Sequence, residues 1–101
     1  MIDPLDTGDL REDVARRLLE TREALELDQQ HFGTRAGLSQ PQYNQYENGK
    51  RLLTLPAAMK LCDAYGLTMD WLYRGDPAGL QLRLWDGIRA RRKQSIGQVS
   101  R

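Results

Sequence analysis

Gln40, Pro41, Asn44 and Gln45 fall at i, i+1, i+4 and i+5 of a segment that reads as a short helix. Side chains at that spacing share one helix face. A side-chain amide carries donors and an acceptor in one plane, which fits the N6/N7 edge of adenine bidentately in the major groove of double-stranded DNA. The other side of the segment is apolar. Tyr43 and Tyr46 lie there, preceded by Phe32, Ala36 and Leu38 and by the small Gly33. These residues bury the inner sides of two short helices and leave the amides facing away from the core.

A helix in a groove needs phosphate anchors on both flanks. Gln29, at the positive N-terminal end of the preceding helix, can offer backbone and side-chain donors. Asn48, Lys50 and Arg51 lie just past the reading helix and can hold the other side of the groove. Ser39 and Gln42, in its first turn, complete the expected backbone contacts. An ordinary solvated helix face can also be rich in amides. The turn and the flanking anchors favour base reading over that plainer explanation.

The elements that must position these residues are all helical. Leu, Ala, Arg, Glu and Gln dominate, and no segment alternates with period 2. Asp9 with Glu12 fits an N-cap for a first helix running to about Leu25, with Val14, Leu18 and Leu25 inward. Asp28 caps the second helix, which stops at Gly37. Ser39 caps the third, with Gln42 completing a capping box and Pro41 in the first turn, and Asn48-Gly49 ends it. Thr54 caps a fourth helix, stopped by Gly66, and Thr68 a fifth, stopped by Gly75. A further amphipathic segment runs from Gly79 to about Arg92. Its Leu80, Leu84, Trp85 and Ile88 share one face. That face either folds back on its own domain or pairs with a second chain, and a Trp with three aliphatics on an appended helix favours pairing. The chain therefore divides into an N-terminal arm (1–8), a DNA-binding domain (9–75) with its helix-turn-helix at 28–48 and reading helix at 39–48, a C-terminal helix (76–93) and a flexible tail (94–101).

Composition narrows the function. One Cys (Cys62) and one His (His31) cannot build a disulfide framework or a four-ligand zinc site within one chain. Cys62 reads as core beside Leu55, Ala58 and Tyr65, Trp71 also reads as core, and His31 faces solvent. There is no nucleophile–base constellation, glycine-rich phosphate loop or paired carboxylate site, so neither an enzyme nor a cofactor is expected. The absence of a long apolar run or a signal-like start points away from membranes and to a reduced cytoplasm, bacterial or phage-derived.

Net charge is +1, but the charges are segregated along the chain. Residues 1–28 hold four basic and nine acidic residues, a balance of −5. Residues 29–75 balance at +2 and residues 76–101 at +4. Such a chain binds DNA poorly by bulk charge and must gain affinity from specific contacts, dimerisation or a partner. The basic run Arg89–Lys93 reads as a solvated helix end, with phosphate contact as the less favoured use.

Taken together, Leu27-Asp28-Gln29-Gln30-His31-Phe32-Gly33, Ala36-Gly37-Leu38-Ser39-Gln40, Tyr43-Asn44-Gln45-Tyr46-Glu47-Asn48-Gly49-Lys50 and Leu67-Thr68-Met69-Asp70-Trp71-Leu72 carry a resemblance. Over residues 10–75 the chain resembles the Xre, or lambda-repressor/Cro-like, helix-turn-helix proteins. The resemblance implies an all-α, five-helix DNA-binding domain, here with an appended C-terminal amphipathic helix. It also implies a homodimer on a two-fold-related operator, with repression the commoner outcome in the family. It places Gln29 at a phosphate contact, Gln40, Pro41, Asn44 and Gln45 at base-facing positions, and Asn48 and Lys50 in the backbone-binding loop. Arg22 and Glu47 match a pair that joins the first helix to the end of the reading helix.

The chain departs from that pattern in two ways. Tyr43 and Tyr46 stand where Ile and Leu are common, and Gly33 where Ala is common, so the missing methyl is expected to make room for a ring. Residues 36–49 also contain no Lys or Arg, which removes bidentate guanine readout by Arg and favours a weak, A·T-leaning or partner-assisted DNA reader. The alternative is a protein-interaction module on the same fold, an antiactivator or antitoxin-like partner.

Overall fold

The computed structural model describes residues 7–99. It contains six helices: α1 (Thr7–Ala24), α2 (Gln29–Arg35), α3 (Gln40–Glu47), α4 (Leu55–Tyr65), α5 (Asp70–Arg74) and α6 (Leu82–Val99). There is no strand among the described residues, and no helix among them is long and apolar enough to cross a membrane. The expected all-α class and the appended last helix are both present.

Most of the caps lie where the residue types place them. Asp28, Ser39 and Thr54 each accept a hydrogen bond from the backbone N–H three residues on, opening α2, α3 and α4. Gly37 has φ +86, and it lets Leu38 N–H reach Gly33 C=O and Gly37 N–H reach Thr34 C=O. That pairing closes α2 sharply enough for α3 to begin at Gln40. α1 ends in the same way with Glu26 in the left-handed position (φ 57), which glycine fills without strain. α5 is a single turn wound wider than an α-helix. Thr68 Oγ1 accepts from Trp71 N–H at its start.

Three boundaries differ from the sequence expectations. α1 begins at Thr7, so Asp9 lies inside the helix instead of capping it. Of the arm assigned to 1–8, residues 1–6 lie outside the described residues. The last helix begins at Leu82 and runs through Val99, so 94–99 continue it and are not a separate tail; Ser100 and Arg101 lie outside the described residues. Helix-forming Arg, Lys and Gln carry the winding past the end of the apolar pattern that placed the boundary.

α1 forms the platform of the molecule, with α3, α5 and α6 all packed against it. Val14 and Leu18 are buried at its centre among Phe32, Tyr43, Leu61, Trp71 and Leu72. The face of Leu80, Leu84 and Ile88 joins this same core, and Trp85 packs edge-to-face on Trp71 with ring centres 5.8 Å apart. This corrects the expectation that these four residues form a dimerisation face: they fold back on their own domain. Trp71 supplies the aromatic wall that sequence periodicity could not reveal. At Gly87 the α6 backbone approaches α1 closely, where an added Cβ would touch Ala24 Cβ at 3.6 Å. On α4, Ala58 is buried and Cys62 and Tyr65 are half-buried, but Leu55 is exposed, contrary to its expected place beside them.

Candidate nucleic-acid interface

The α2–α3 junction is built around three rings. Phe32 stacks on Tyr65 of α4 with ring centres 4.5 Å apart, and meets Tyr43 of α3 edge-to-face at 5.2 Å. The Tyr65 hydroxyl also donates to the Phe32 carbonyl at 2.6 Å, which satisfies an acceptor at the end of α2. A Cβ added at Gly33 would lie 2.9 Å from Tyr43 Cβ and 3.2 Å from its Cγ. The closest atom is Cβ, which an Ile or Leu at 43 would also carry, so Gly33 serves the close approach of the two helices more than the ring that was expected to need the space.

Glu47, the last residue of α3, is the hub of the site. Its Oε1 accepts from Arg22 Nε at 2.7 Å and from the Tyr43 hydroxyl at 2.8 Å. Its Oε2 accepts from Arg22 Nη2 at 3.2 Å and from Gln29 Nε2 at 2.9 Å. An ionised carboxylate has about four lone-pair positions, and four donors occupy them. Its side chain is 7% exposed and that of Arg22 17%. Burial alone would raise the Glu47 pKa, but the hydrogen bonds from Arg22, Tyr43 and Gln29 outweigh it and hold the group below its ordinary range. The hydrogen bond to Glu47 in turn raises Arg22, while burial and the nearby carboxylate push the Tyr43 hydroxyl far up. Arg22 Nη1 also donates to Leu27 C=O at 3.0 Å, so one guanidinium ties together α1, the turn before α2 and the end of α3.

From this hub a row of amides runs across the surface. Gln29 Oε1 accepts from Asn44 Nδ2 at 2.9 Å, and Asn44 Oδ1 accepts from Asn48 Nδ2 at 2.9 Å. Gln40 and Pro41 are exposed, and Asn44 and Gln45 are half-exposed on the same side of α3. Ser39, Gln42, Asn48, Lys50 and Arg51 are exposed around them, and Gln29 is half-buried. The backbone N–H groups of Lys50 and Arg51 both bond to Gln45 C=O, which folds the basic pair against the end of α3. One expectation fails locally. Gln42 donates its backbone N–H to Ser39 Oγ, but its side chain turns along the helix to the Tyr46 hydroxyl at 3.4 Å, so the capping box is only half made. The tyrosine one turn ahead takes the amide instead.

The residues that seat this surface match a known pattern. The helix-turn-helix family model matches residues 12–72, from the second turn of α1 to the middle of α5. The chain belongs to the Xre-type helix-turn-helix family. That is a family of DNA-binding regulators, and the match covers every residue of the Glu47 hub and the amide row. Comparison with curated proteins and with solved structures gives no match.

Some supports of this helix-turn-helix domain have no signature in the sequence. Thr21, fully buried on α1, donates to Arg17 C=O at 2.7 Å and accepts from Trp71 Nε1 at 2.9 Å, which fixes Trp71 against α1. Tyr73 reaches back to Leu53 C=O at 2.6 Å and holds the segment between α3 and α4. Arg92 of α6 forms a two-point pair with Glu20 of α1 at 2.6 and 2.9 Å. A single Thr on an apolar helix face and one Arg in a basic run carry no signal of a distant partner. His31 is exposed and pairs with Asp28 at 2.8 Å, and no group of metal-ligating side chains occurs among the described residues.

Proposed function

We propose that this chain is a sequence-specific transcriptional regulator that inserts α3 into the major groove as a homodimer and acts as a repressor. One observation carries the reading: α3 turns Gln40, Pro41, Asn44 and Gln45 outward while Tyr43, Tyr46 and Glu47 lock its other side to α1 and α2. A rigidly held amide face is suited to base edges, and adenine is the base such amides match. An eight-residue helix spans few base pairs, and a net charge of +1 gives little sequence-independent attraction. Two copies on a two-fold-related site supply what one lacks. Because Leu80, Leu84, Trp85 and Ile88 lie against their own domain, the second copy meets another surface.

A gel-shift titration of the purified chain on the DNA upstream of its own gene tests this reading. Saturable, competitor-resistant binding with two chains per site is expected. Gln40→Ala, Asn44→Ala and Gln45→Ala should each weaken binding about ten-fold if each removes one base-edge contact. If all three bind as the wild type does, the reading face is wrongly assigned. A second reading, a protein-binding module, draws on the lack of Lys and Arg in 36–49 and on the exposed Leu55 and Met59 side chains of α4. It predicts weak DNA binding or none, with no competitor-resistant complex.

A further inference from the structure

We propose that a second copy of this chain docks along α4, on the exposed ridge of Arg51, Leu55, Met59 and Asp63, with the two α4 helices crossing antiparallel about a two-fold axis. The inference rests on the reading above for its need of two copies, and it names the surface where they meet. α4 turns Ala57, Ala58 and Leu61 into the core. On its outer side Leu55 is 61% exposed and Met59 53%. Residues 52–59 hold no charge, in a chain whose residues are 29% charged. Two exposed apolar side chains alone say little. The charges that flank them say what fits.

Leu55, Met59 and Asp63 recur every four residues and so form one ridge of the helix. Arg51, four residues before Leu55, stands at the other end. Both end residues are exposed, and neither makes an ion pair among the described residues. Turned end for end, this ridge complements itself. Cation meets carboxylate at each end, Leu55 meets Met59 in the middle, and a two-fold axis makes each contact twice. Asp63 also lies near the C-terminal end of α4, where the helix dipole disfavours a carboxylate. The crossing sets it against the N-terminal end of the other α4, where the dipole favours it. Lys60, the remaining charge on α4, lies off the ridge with its Cδ beside Gly37.

Thr54, which caps α4, lies 3.5 Å from the Tyr46 hydroxyl of α3. The ridge thus begins beside the reading helix, and none of Gln40, Pro41, Asn44 or Gln45 belongs to it. So small a contact falls below the roughly 1,200 Å² of a stable interface, so the copies pair weakly in free solution. Two half-sites on one duplex raise their local concentration and make the pair firm.

Sedimentation equilibrium of the full chain without DNA, from about 10 μM to about 1 mM, tests the proposal. A reversible monomer–dimer equilibrium is expected, with its midpoint in the upper part of that range. Leu55→Glu should abolish it. Arg51→Asp and Asp63→Arg should each weaken it about ten-fold, because each sets like charges at both ends of the crossing. An equal mixture of those two variants should pair at least as well as the wild type, since each carries the charge that the other needs. All these positions are exposed, and circular dichroism checks that each variant is folded. A chain that stays monomeric to about 1 mM overturns the proposal and leaves the ridge to a different protein. A dimer that survives Leu55→Glu, or a mixture that does not restore pairing, also overturns it and places the interface elsewhere. No DNA enters this test. Its failure leaves base reading standing, and a failed gel shift with the dimer intact rejects base reading alone.

Discussion

Two arginine–glutamate pairs tie other parts of the chain to α1, and they are built differently. Arg22–Glu47 joins α1 to the end of α3, is nearly enclosed, and has every carboxylate lone pair occupied. Arg92–Glu20 joins α6 to α1 with a similar two-point geometry, but its side chains are 42% and 19% exposed. The Arg92 guanidinium lies 5.4 Å from the Trp85 ring centre and 5.9 Å from that of Trp71. In the first pair the charge is the centre of the packing, and removing a partner strands it. In the second the rings and aliphatic residues hold the helix, and the charge sits on top. Similar distances therefore stand for different energies.

The largest effect is expected from Arg22→Met. It leaves the Glu47 carboxylate enclosed without its cation and should cost about 3 kcal/mol of unfolding free energy in chemical denaturation. Cleavage by a protease should then begin at the turn between α1 and α2, where Leu27 C=O also loses its donor. A loss below about 1 kcal/mol would place this pair with ordinary surface pairs and remove the contrast.

Gly33→Ala probes the same region without touching a charge. The added methyl would meet Tyr43 Cβ at 2.9 Å, and neither helix can yield without moving the other rings, so a loss of about 2 kcal/mol is expected. Gly33→Ala with Tyr43→Leu should recover little of it, because leucine keeps the Cβ and Cγ that the methyl meets first. Substantial recovery in the double variant would mean that the ring beyond Cγ, and not the close approach of the two helices, is what the glycine accommodates.

Acid separates the enclosed pair from its surroundings. Glu47 titrates below its ordinary range in the folded chain, so the unfolded chain binds the proton first as pH falls. The stability it contributes is complete above the ordinary glutamate range. It is lost as pH drops through that range toward the lower folded value. Thermal denaturation from neutral pH downward should show this loss, and Glu47→Gln should flatten the curve there. A curve of unchanged slope in that variant would mean that other carboxylates carry the acid response.

Much of this was legible in the residue types. Asp28, Ser39 and Thr54 before periodic apolar runs fix three helix starts, and Phe32, Tyr43 and Tyr46 opposite the amides orient α3. Gly33 beside a tyrosine announced a tight junction, which an added Cβ would close to 2.9 Å. The spacing of Leu80, Leu84 and Ile88 marks an apolar face but leaves open whether it is covered from within or by a second chain, and the pairing it favours is not what occurs. Periodicity shows that a face must be covered and says nothing of what covers it; here the cover is the domain's own core, where Trp71, anchored by Thr21, meets Trp85. Gln29, Asn44 and Asn48 each stood out singly as polar contacts. Their order as a row depends on distances across two helices, which spacing along one helix cannot encode.

Arg92→Met gives the smallest effect and the sharpest check on the comparison. Methionine keeps the stem over the two rings and removes the pair with Glu20 and the cation on the aromatic faces. For an exposed pair the expected loss is below about 1 kcal/mol, shrinking further as salt is added. The cation over the rings belongs to the same range at an exposed site. α6 should therefore stay docked, with its backbone amides as protected from hydrogen exchange as in the wild type, because Leu80, Leu84 and Ile88 remain buried. A loss near that of Arg22→Met, insensitive to salt, would mean that charge holds both elements and that exposure is the wrong measure of what each pair contributes.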